Sequence, residues 1–240
     1  MAVEKALLLI ADIGGYTRFM KQHRFGLAHA QDTVAQLLEV VIDAAGGLKL
    51  AKLEGDAAFF YALGEDFTAF ARQAANIRRA FIAKKEQLII DRMCKCGGCM
   101  QVGALTLKFV IHSGEIAFQK VKRYTELAGV DVILVHRMLK NEVPLAEYVL
   151  MTDPVLQQLD PGLRPFAHAL DHEFEGIGRT STHYINLNEL AAVLPVARAP
   201  NLARKLWGKL TLELRSLPYV IGLKEPCQDF RNVELIVEES

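Results

Sequence analysis

Residues 48–63, LKLAKLEGDAAFFYAL, constrain the fold more than any other stretch of the chain. Their alternating apolar and polar side chains, followed by a run of aromatic residues, predict two adjacent β-strands. Gly55 and Asp56 stand between the strands, and glycine–aspartate pairs are typical of tight hairpin turns. Taken alone, Asp56 is explained as a turn residue whose carboxylate bonds to its own backbone.

A second aspartate favours a functional interpretation. Asp12 ends the apolar run of residues 6–11, which predicts a buried strand over residues 5–12, and the sequence IGGYT follows it at once. Carboxylates at the end of a strand and at the tip of a neighbouring hairpin could hold a divalent cation between them. The glycines would let backbone amides approach a phosphate. We therefore prefer metal binding to two unrelated turn residues.

The composition fits one sizeable domain, or one domain with an appendage, in the cytoplasm. Of the 240 residues 51% are hydrophobic, which is enough for a full core. Lys and Arg together number 28, as do Asp and Glu, so the net charge does not favour nucleic acid as a partner. No apolar run approaches the roughly 18 residues of a transmembrane segment, and the N-terminus does not resemble a signal peptide.

The hydrophobic pattern predicts further helices and strands. Helices are expected over residues 17–23, 28–45, 66–91 and 130–139, with a short helix starting at Asp153. Strands are expected over residues 105–112, 115–121, 147–152, 172–177 and 182–187, with Ser113-Gly114 as a turn between the first two.

Beyond residue 195 the periodicity loosens, and this predicts a boundary near Leu190. The main domain would cover residues 1–190, including a cysteine-rich loop over residues 93–100, and a C-terminal part would cover residues 191–240. Residues 202–217 predict a basic amphipathic helix, which could lie on a membrane surface. Packing on its own domain or on a dimer partner is the interpretation that we adopt.

Three motifs resemble those of the class III nucleotidyl cyclases, the adenylate and guanylate cyclases. LLIADIGGYT, residues 8–17, resembles their opening motif, and KLEGD, residues 52–56, their second. IHSGEI, residues 111–116, with the helix after Gly129, resembles their return hairpin and transition-state helix. The resemblance covers most of residues 5–187 and suggests a divergent bacterial family related to these cyclases. It implies an α/β (α+β) fold of the ferredoxin-like, cyclase-type sandwich, with a mostly antiparallel sheet and helices on one face.

The resemblance also implies a metal-dependent reaction on ATP that forms a 3′,5′-cyclic nucleotide and releases pyrophosphate. Asp12, Asp56 and the Ile13 carbonyl would hold two Mg²⁺ or Mn²⁺ ions, one acting on the ribose 3′-hydroxyl and the other on the triphosphate. Phosphate would be bound by the amides of Gly14, Gly15, Tyr16 and Thr17. Because the site in this class is shared between two subunits, a homodimer is implied.

Base recognition would fall to Lys52, which matches the lysine that reads adenine in adenylate-type members. Its partner would be Glu126 or Thr125, depending on a shift of one residue in the alignment. Either side chain can accept a hydrogen bond from the adenine amine, so the pair favours ATP over GTP. A solvated strand lysine explains Lys52 equally well.

The match weakens on the helix after Gly129. Arg137 matches the transition-state arginine, but Ile133 replaces the asparagine expected four residues earlier, and losing one such donor costs about 10²–10³ in rate. Asn141, one turn beyond Arg137, could substitute. Glu175 stands where a triphosphate-binding lysine is expected, with Arg179 nearby. The alternative function is therefore a non-catalytic nucleotide-binding or regulatory domain with a degenerate cyclase site.

Three cysteines lie close together in CKCGGC, outside the motifs that resemble the cyclases. Thiolates at this spacing, with glycines between them, resemble part of a structural zinc site, so the chain could also be a zinc-stabilised interaction module. The predicted ligands are Cys94, Cys96, Cys99 and, as the fourth, Cys227, with His168 and His172 as further candidates. A redox pair of Cys96 and Cys99, or three free thiols, are the alternatives.

Overall fold

A computed structural model of the chain describes residues 3–22, 27–91 and 101–193, and the isolated positions Pro218, Ile221 and Leu223. Its packing divides the chain into two compact units. The first unit comprises residues 1–14, 41–79 and 106–196, and the second comprises residues 15–40, 80–105 and 197–240. The predicted boundary near Leu190 stays a prediction.

One eight-stranded sheet forms the frame of the first unit. Its strands are β1 (Val3–Gly14), β2 (Lys49–Glu54), β3 (Ala57–Leu63), β4 (Thr106–Val121), β5 (Tyr124–Ala128), β6 (Tyr148–Thr152), β7 (His168–Phe174) and β8 (Gly178–Asn186). Seven strands lie in the order β2-β3-β1-β4-β6-β8-β7, and β5 pairs with the far end of β4. Among the described strands, only the pairing of β4 with β6 is parallel. The sheet confirms the predicted fold class, a mixed α+β fold with a mostly antiparallel sheet.

The predicted hairpin is present as β2 and β3. Gly55, with a φ of 65°, provides the left-handed backbone conformation of its turn. A register shift between Leu50 and Lys52 places Ala51 as an extra residue in β2. The central strand β1 lies between β3 and β4, and its register sets Asp12 opposite Ala57 on one side. Asp12 and Asp56 are therefore brought to the same end of β1 and β3 by strand pairing.

The prediction of a turn at Ser113-Gly114 is wrong, because β4 continues through both residues as a single strand. The glycine is explained by packing: a Cβ at Gly114 would collide with the carboxyl group of Asp131. The return of the chain occurs later, where Lys122 has a φ of 55° and β5 begins two residues further on. Strand β5 was not predicted.

Six α-helices lie among the described residues: α1 (Tyr16–Gln22), α2 (Leu27–Asp43), α3 (Phe70–Asp91), α4 (Val130–Arg137), α5 (Asp153–Leu156) and α6 (Leu187–Val193). The predicted helices are confirmed, although α3 begins four residues later than expected and α4 ends two residues earlier. The chain leaves α4 through hydrogen bonds from Leu139 N–H to the His136 carbonyl and from Lys140 N–H to the Arg137 carbonyl. In the described part of the chain, no helix has the length and apolar character needed to cross a membrane.

The core of the first unit lies between α4 and one face of the sheet. Alternate residues of β1 point to this face, as the period of two in a strand requires. The buried members of this core are Ala6, Leu8, Ile10, Ala57, Phe59, Val110, Ile116, Val132, Leu134, Val135, Met138, Tyr148, Leu150 and Phe174. Helix α4 is thus held by apolar packing, and its exposed side remains free to carry polar groups.

Candidate functional site

Two carboxylates meet where β1 ends and the β2–β3 hairpin turns. The Ile13 N–H donates a hydrogen bond of 3.1 Å to the Asp56 carbonyl oxygen, which fastens the hairpin tip to β1 beside Asp12. Burial, and secondly the negative charge of Asp12, raise the pKa of the Asp56 carboxyl from 3.8 to about 6. The charge of Asp12 therefore acts on the Asp56 carboxyl, as expected for neighbouring carboxylates, although burial contributes more to the pKa shift than like-charge repulsion.

Lys108 is a third charged residue of this site, and the sequence did not reveal it. It lies on β4 directly opposite Asp12, and its Nζ is 2.9 Å from Asp12 Oδ2. Burial alone would lower the pKa of Lys108, but the hydrogen bond to Asp12 and the charges of Asp12 and Asp56 raise it above its ordinary value. A lysine in an alternating strand shows no partner until the register of β1 and β4 is known.

The Tyr148 hydroxyl connects this cluster to the segment after α4. Its pKa is raised by burial, and the charges of Lys108 and Asp12 act on it in opposite directions. It donates a hydrogen bond of 3.0 Å to Asn141 Oδ1, which also accepts from the Val143 N–H, while Asn141 Nδ2 donates to the Met138 carbonyl. Because α4 ends at Arg137, the expected position of Asn141 on the same helical face does not exist. Asn141 instead closes the turn after the helix.

The two aspartates fit a hard divalent cation held jointly with a phosphorylated ligand. Within the described residues no group of three or more His, Cys, Asp or Glu side chains could hold a metal ion. The protein therefore offers two side-chain ligands here. Mg²⁺ is commonly bound through one or two carboxylates with water and substrate phosphates completing its coordination. Burial is the main cause of the raised pKa of Asp56, the charge of Asp12 adds to it, and the charge of Lys108 opposes both.

A pocket of about 170 Å³ brings together the three residues predicted to read the base. Lys52 contributes from β2, and Thr125 and Glu126 contribute from β5. The remaining lining residues are apolar or aromatic: Leu50, Ala51, Phe59, Tyr61, Phe118 and Leu127. The extra residue in β2 allows three consecutive residues to line the pocket. Aromatic walls with a few polar groups suit a flat, polar-edged ligand such as a purine.

Lys52 is ion-paired in a network that also reaches α4. Its Nζ is 2.6 Å from Glu54 Oε1, and Glu54 Oε2 is 3.3 Å from Nδ1 of His136. The His136 ring lies edge-on to Phe59, which lines the pocket, with 4.9 Å between ring centroids. Burial lowers the pKa of His136, although the charge of Glu54 opposes this shift. Lys52 is therefore partly exposed to solvent, and its positive charge is paired with the Glu54 carboxylate.

Helix α4 presents its two sequence-predicted positions to solvent. The Ile133 side chain is 51% exposed, so it is a surface residue and not part of the core. The guanidinium of Arg137 donates to Glu175 Oε2 at 2.8 Å, and both side chains are accessible. An accessible ion pair of this kind contributes little to stability and exchanges readily for a better anionic partner.

Arg179 is paired with a carboxylate inside the β7–β8 hairpin. Its Nη2 and Nε contact Asp171 Oδ2 at 2.6 and 3.2 Å across the β7–β8 hairpin, at the opposite edge of the sheet from β2.

The predicted phosphate-binding amides follow Asp12 directly. Gly14 ends β1, whereas Gly15 has a φ of 87° and Tyr16 and Thr17 begin α1 in the second unit.

The predicted zinc ligands Cys94, Cys96, Cys99 and Cys227 lie outside the described residues, so the zinc site stays a prediction. The two further candidates are described. The ring of His168 lies against Tyr184, with 5.2 Å between centroids. His172 is buried, and both of its ring nitrogens are hydrogen-bonded within the first unit. His172 is therefore not available to a metal in this arrangement.

Solved structures with a similar fold are nucleotidyl cyclases. The adenylyl cyclase CyaB from P. aeruginosa matches with a TM-score of 0.52 and 14% identity, covering 83% of this chain and 98% of that chain. The guanylate cyclase domain of RhGC from Catenaria anguillulae, solved in complex with GTP, matches with a TM-score of 0.54 and 15% identity, covering 78% of this chain and 98% of that chain. At these identities the likeness shows the fold alone.

Sequence comparison gives the family. A family model described as a protein of unknown function, DUF2652, matches residues 34–148. The Mycobacterium tuberculosis protein described as uncharacterized protein Rv2561/Rv2562 is 51% identical over 201 residues, covering 83% of this chain and 94% of the relative. The predicted relation to the cyclases is thus confirmed at the level of fold. The chain belongs to the family of this mycobacterial protein, on a scaffold of the class III cyclase type.

Proposed function

We propose that the protein is a divalent-metal-dependent nucleotidyl cyclase that acts on ATP with low turnover. The observation that carries the proposal is the pair of carboxylates at the end of β1, with the pKa of Asp56 raised to about 6. A cation that offsets this charge would be held at the end of the central strand of a cyclase-type sheet. Bound Mg²⁺ or Mn²⁺ would supply positive charge to the triphosphate and lower the pKa of the ribose 3′-hydroxyl.

In the proposed reaction, the 3′-oxygen attacks the α-phosphorus and the bond to the β-phosphate oxygen breaks. The hydroxyl proton is lost, and pyrophosphate leaves. Asp12 and Asp56 would hold the cation, and the ammonium of Lys108, 2.9 Å from Asp12, would add positive charge beside the phosphates. Of the predicted phosphate donors, Gly14 lies in the same unit as these residues, and the roles of Gly15, Tyr16 and Thr17 stay predictions from the sequence.

ATP is the preferred substrate because of the groups that line the pocket. Lys52 can donate to a ring nitrogen of adenine, and Glu126 or Thr125 can accept from its amine. The pairing of Lys52 with Glu54 orients the ammonium while reducing its net charge. A lysine whose positive charge is balanced by a carboxylate favours a polar base edge over a triphosphate as its ligand.

Arg137 would stabilise the charge that develops on the phosphoryl group. To do so, it must leave Glu175, whose side chain is largely exposed and can be hydrated by solvent. Ile133 supplies no donor to the ribose, and this is our reason for proposing low turnover. Its exposure beside exposed Val130 is compatible with an apolar contact to a second subunit, as the proposed homodimer requires.

The second candidate is a nucleotide-binding domain without catalysis. The Arg137–Glu175 ion pair favours it, because the guanidinium is already engaged. Incubation with ATP and Mn²⁺ or Mg²⁺ separates the two functions. Cyclic nucleotide and pyrophosphate in equal amounts would support the cyclase, whereas saturable ATP binding without product would support the second candidate.

The matched controls are two aspartate variants. Asp56→Asn should remove both metal-dependent ATP binding and product formation, because it removes one of the two proposed ligands. Asp66→Asn changes an exposed aspartate whose carboxylate accepts from Thr68, far from any proposed ligand, and should leave both unchanged. Product formation that persists in Asp56→Asn would contradict the proposed function.

A further inference from the structure

A row of four buried polar side chains crosses the core of the first unit. His112 lies on β4, Thr152 on β6, Thr182 on β8 and His172 on β7, and these strands are adjacent in this order. Thr152 and Thr182 are directly opposite in the register of β6 and β8. All four side chains are less than a tenth exposed, although apolar residues would pack here at no hydrogen-bonding cost. None of them belongs to the proposed site.

The first end of the row is tied to the start of α4. His112 Nδ1 is 2.8 Å from the Thr152 hydroxyl, and His112 Nε2 is 3.0 Å from Asp131 Oδ1. A carboxylate can only accept, so Nε2 carries the hydrogen, and in the neutral imidazole Nδ1 then accepts from Thr152. The other oxygen of Asp131 accepts from the Glu115 N–H at 2.6 Å. Asp131 stands in the first turn of α4, so this turn is held to β4 at two points.

The second end of the row is tied to the segment that follows α4. The Thr182 hydroxyl donates to the Leu170 carbonyl, so it accepts from His172 Nδ1–H, at 2.9 Å. His172 Nε2 is then left as an acceptor, and the Glu142 N–H donates to it at 3.2 Å. Glu142 follows the turn that Asn141 closes. Hydrogen bonds from the sheet therefore hold the first turn of α4 and the segment after the helix. In each case the bond is made by a histidine in a defined tautomer.

We infer that His112 and His172 are positioning residues that fix the start of α4 and the segment that follows it, and thereby the location of Arg137. The importance of Arg137 rests on the proposed function, whereas the anchoring of the helix does not. Apolar packing holds the inner face of α4, but it is non-directional and allows a helix to slide or turn. Hydrogen bonds at Asp131 and Glu142 are directional, and they oppose such movement at both ends.

Matched substitutions separate positioning from bulk packing. In His172→Gln the amide oxygen can reach the place of Nε2 and accept from Glu142, whereas in His172→Asn the shorter amide reaches only Thr182. In the same way His112→Gln can donate to Asp131, and His112→Asn cannot. Both variants of a pair lack the imidazole, and they differ from each other mainly in whether the hydrogen bond to the α4 segment is kept.

We expect the asparagine variants to raise amide hydrogen exchange at the anchored end by about tenfold, at Glu142 or Glu115 respectively. Turnover of ATP with Mn²⁺ should fall about tenfold with less than a twofold change in KM, because Arg137 acts on the transition state. The glutamine variants should stay close to the wild type in both measurements. Denaturant midpoints serve to compare the two variants of each pair at equal global stability.

Two results would overturn the inference. Equal exchange rates and turnover in the asparagine and glutamine variants would show that the row serves only packing. A loss of amide protection against hydrogen exchange that is spread evenly over the sheet would also show that the row serves only packing. If the wild type forms no cyclic nucleotide, the proposed function fails, and the exchange comparison alone decides whether the histidines anchor α4.

Discussion

Asp56→Asn should stabilise the metal-free protein at neutral pH and remove its response to divalent cations. Burial and the charge of Asp12 raise the pKa of this carboxyl from 3.8 to about 6. A carboxyl with a raised pKa binds more protons in the folded chain than in the unfolded one at intermediate pH. The free energy of unfolding therefore falls as pH rises from about 4 to about 6, and the full loss is present above pH 6.

The size of the effect follows from the shift. A shift of about two pH units corresponds to about 3 kcal/mol, and because Asp56 is only half-buried, screening by solvent reduces this to about 1–2 kcal/mol. The asparagine variant should then melt roughly 2–8 °C higher than the wild type at pH 7.5. At pH 4 the carboxyl is protonated in the folded chain and partly protonated in the unfolded chain, so the difference between the two melting temperatures should be much smaller than at pH 7.5.

Thermal melts from pH 4 to pH 8, with and without Mn²⁺, measure this prediction, and calorimetric titration of Mn²⁺ complements them. Since the cation competes with a proton for Asp56, its apparent affinity should be about tenfold weaker at pH 5 than at pH 7. Asp66→Asn is the control, because hydrogen bonds from Thr68 lower the pKa of Asp66 and its replacement should bring no gain. Equal melting temperatures of Asp56→Asn and wild type at pH 7.5 would refute the reasoning, as would equal stabilisation of both by Mn²⁺.

Three further predictions concern the pocket, α4 and the cysteines. Lys52→Glu should weaken ATP binding far more than GTP binding in a titration, and equal losses would show that Lys52 does not read the base. Ile133→Asn should raise turnover by up to about 10²–10³-fold with little change in apparent affinity, and Arg137→Ala should abolish the remainder. Because Ile133 is half-exposed, the Ile133→Asn variant should melt at nearly the same temperature as the wild type, and a large drop would contradict our placement of this residue. Elemental analysis should find close to one zinc per chain, and the zinc–sulfur distances should be about 2.3 Å. A metal-free protein whose loop thiols alkylate rapidly would exclude the site.

The sequence was sufficient for the strand–hairpin frame of the candidate site. The pattern of period two in residues 5–12 and 48–63 determines which residues face the core. Once the hairpin and β1 are assumed to be neighbours, Asp12 and Asp56 must fall at the same end. His112 lies in a strand, where a histidine is most often a hydrogen-bonded core residue, and the structure shows it buried with partners for both ring nitrogens.

What the sequence could not show depends on contacts between distant segments. Ser113-Gly114 has the composition of a turn, and only the carboxyl group of Asp131, packed over Gly114, explains why a glycine stands inside a strand. The roles of Lys108 and Glu54 require the strand register and side-chain directions, which local patterns do not contain. The position of Asn141 was predicted by extending a helix that in fact ends at Arg137.

The placement of β1 between β3 and β4 has a consequence for the order in which the protein is made. The strands that carry Asp12 and Asp56 leave the ribosome first, and β4, which carries Lys108, follows only later. Pairing of β1 with β4 closes a loop of ~100 residues and is slow for that reason. During that interval the two carboxylates can meet without their lysine. The cation content of the surrounding solution would then influence how readily the nascent sheet forms.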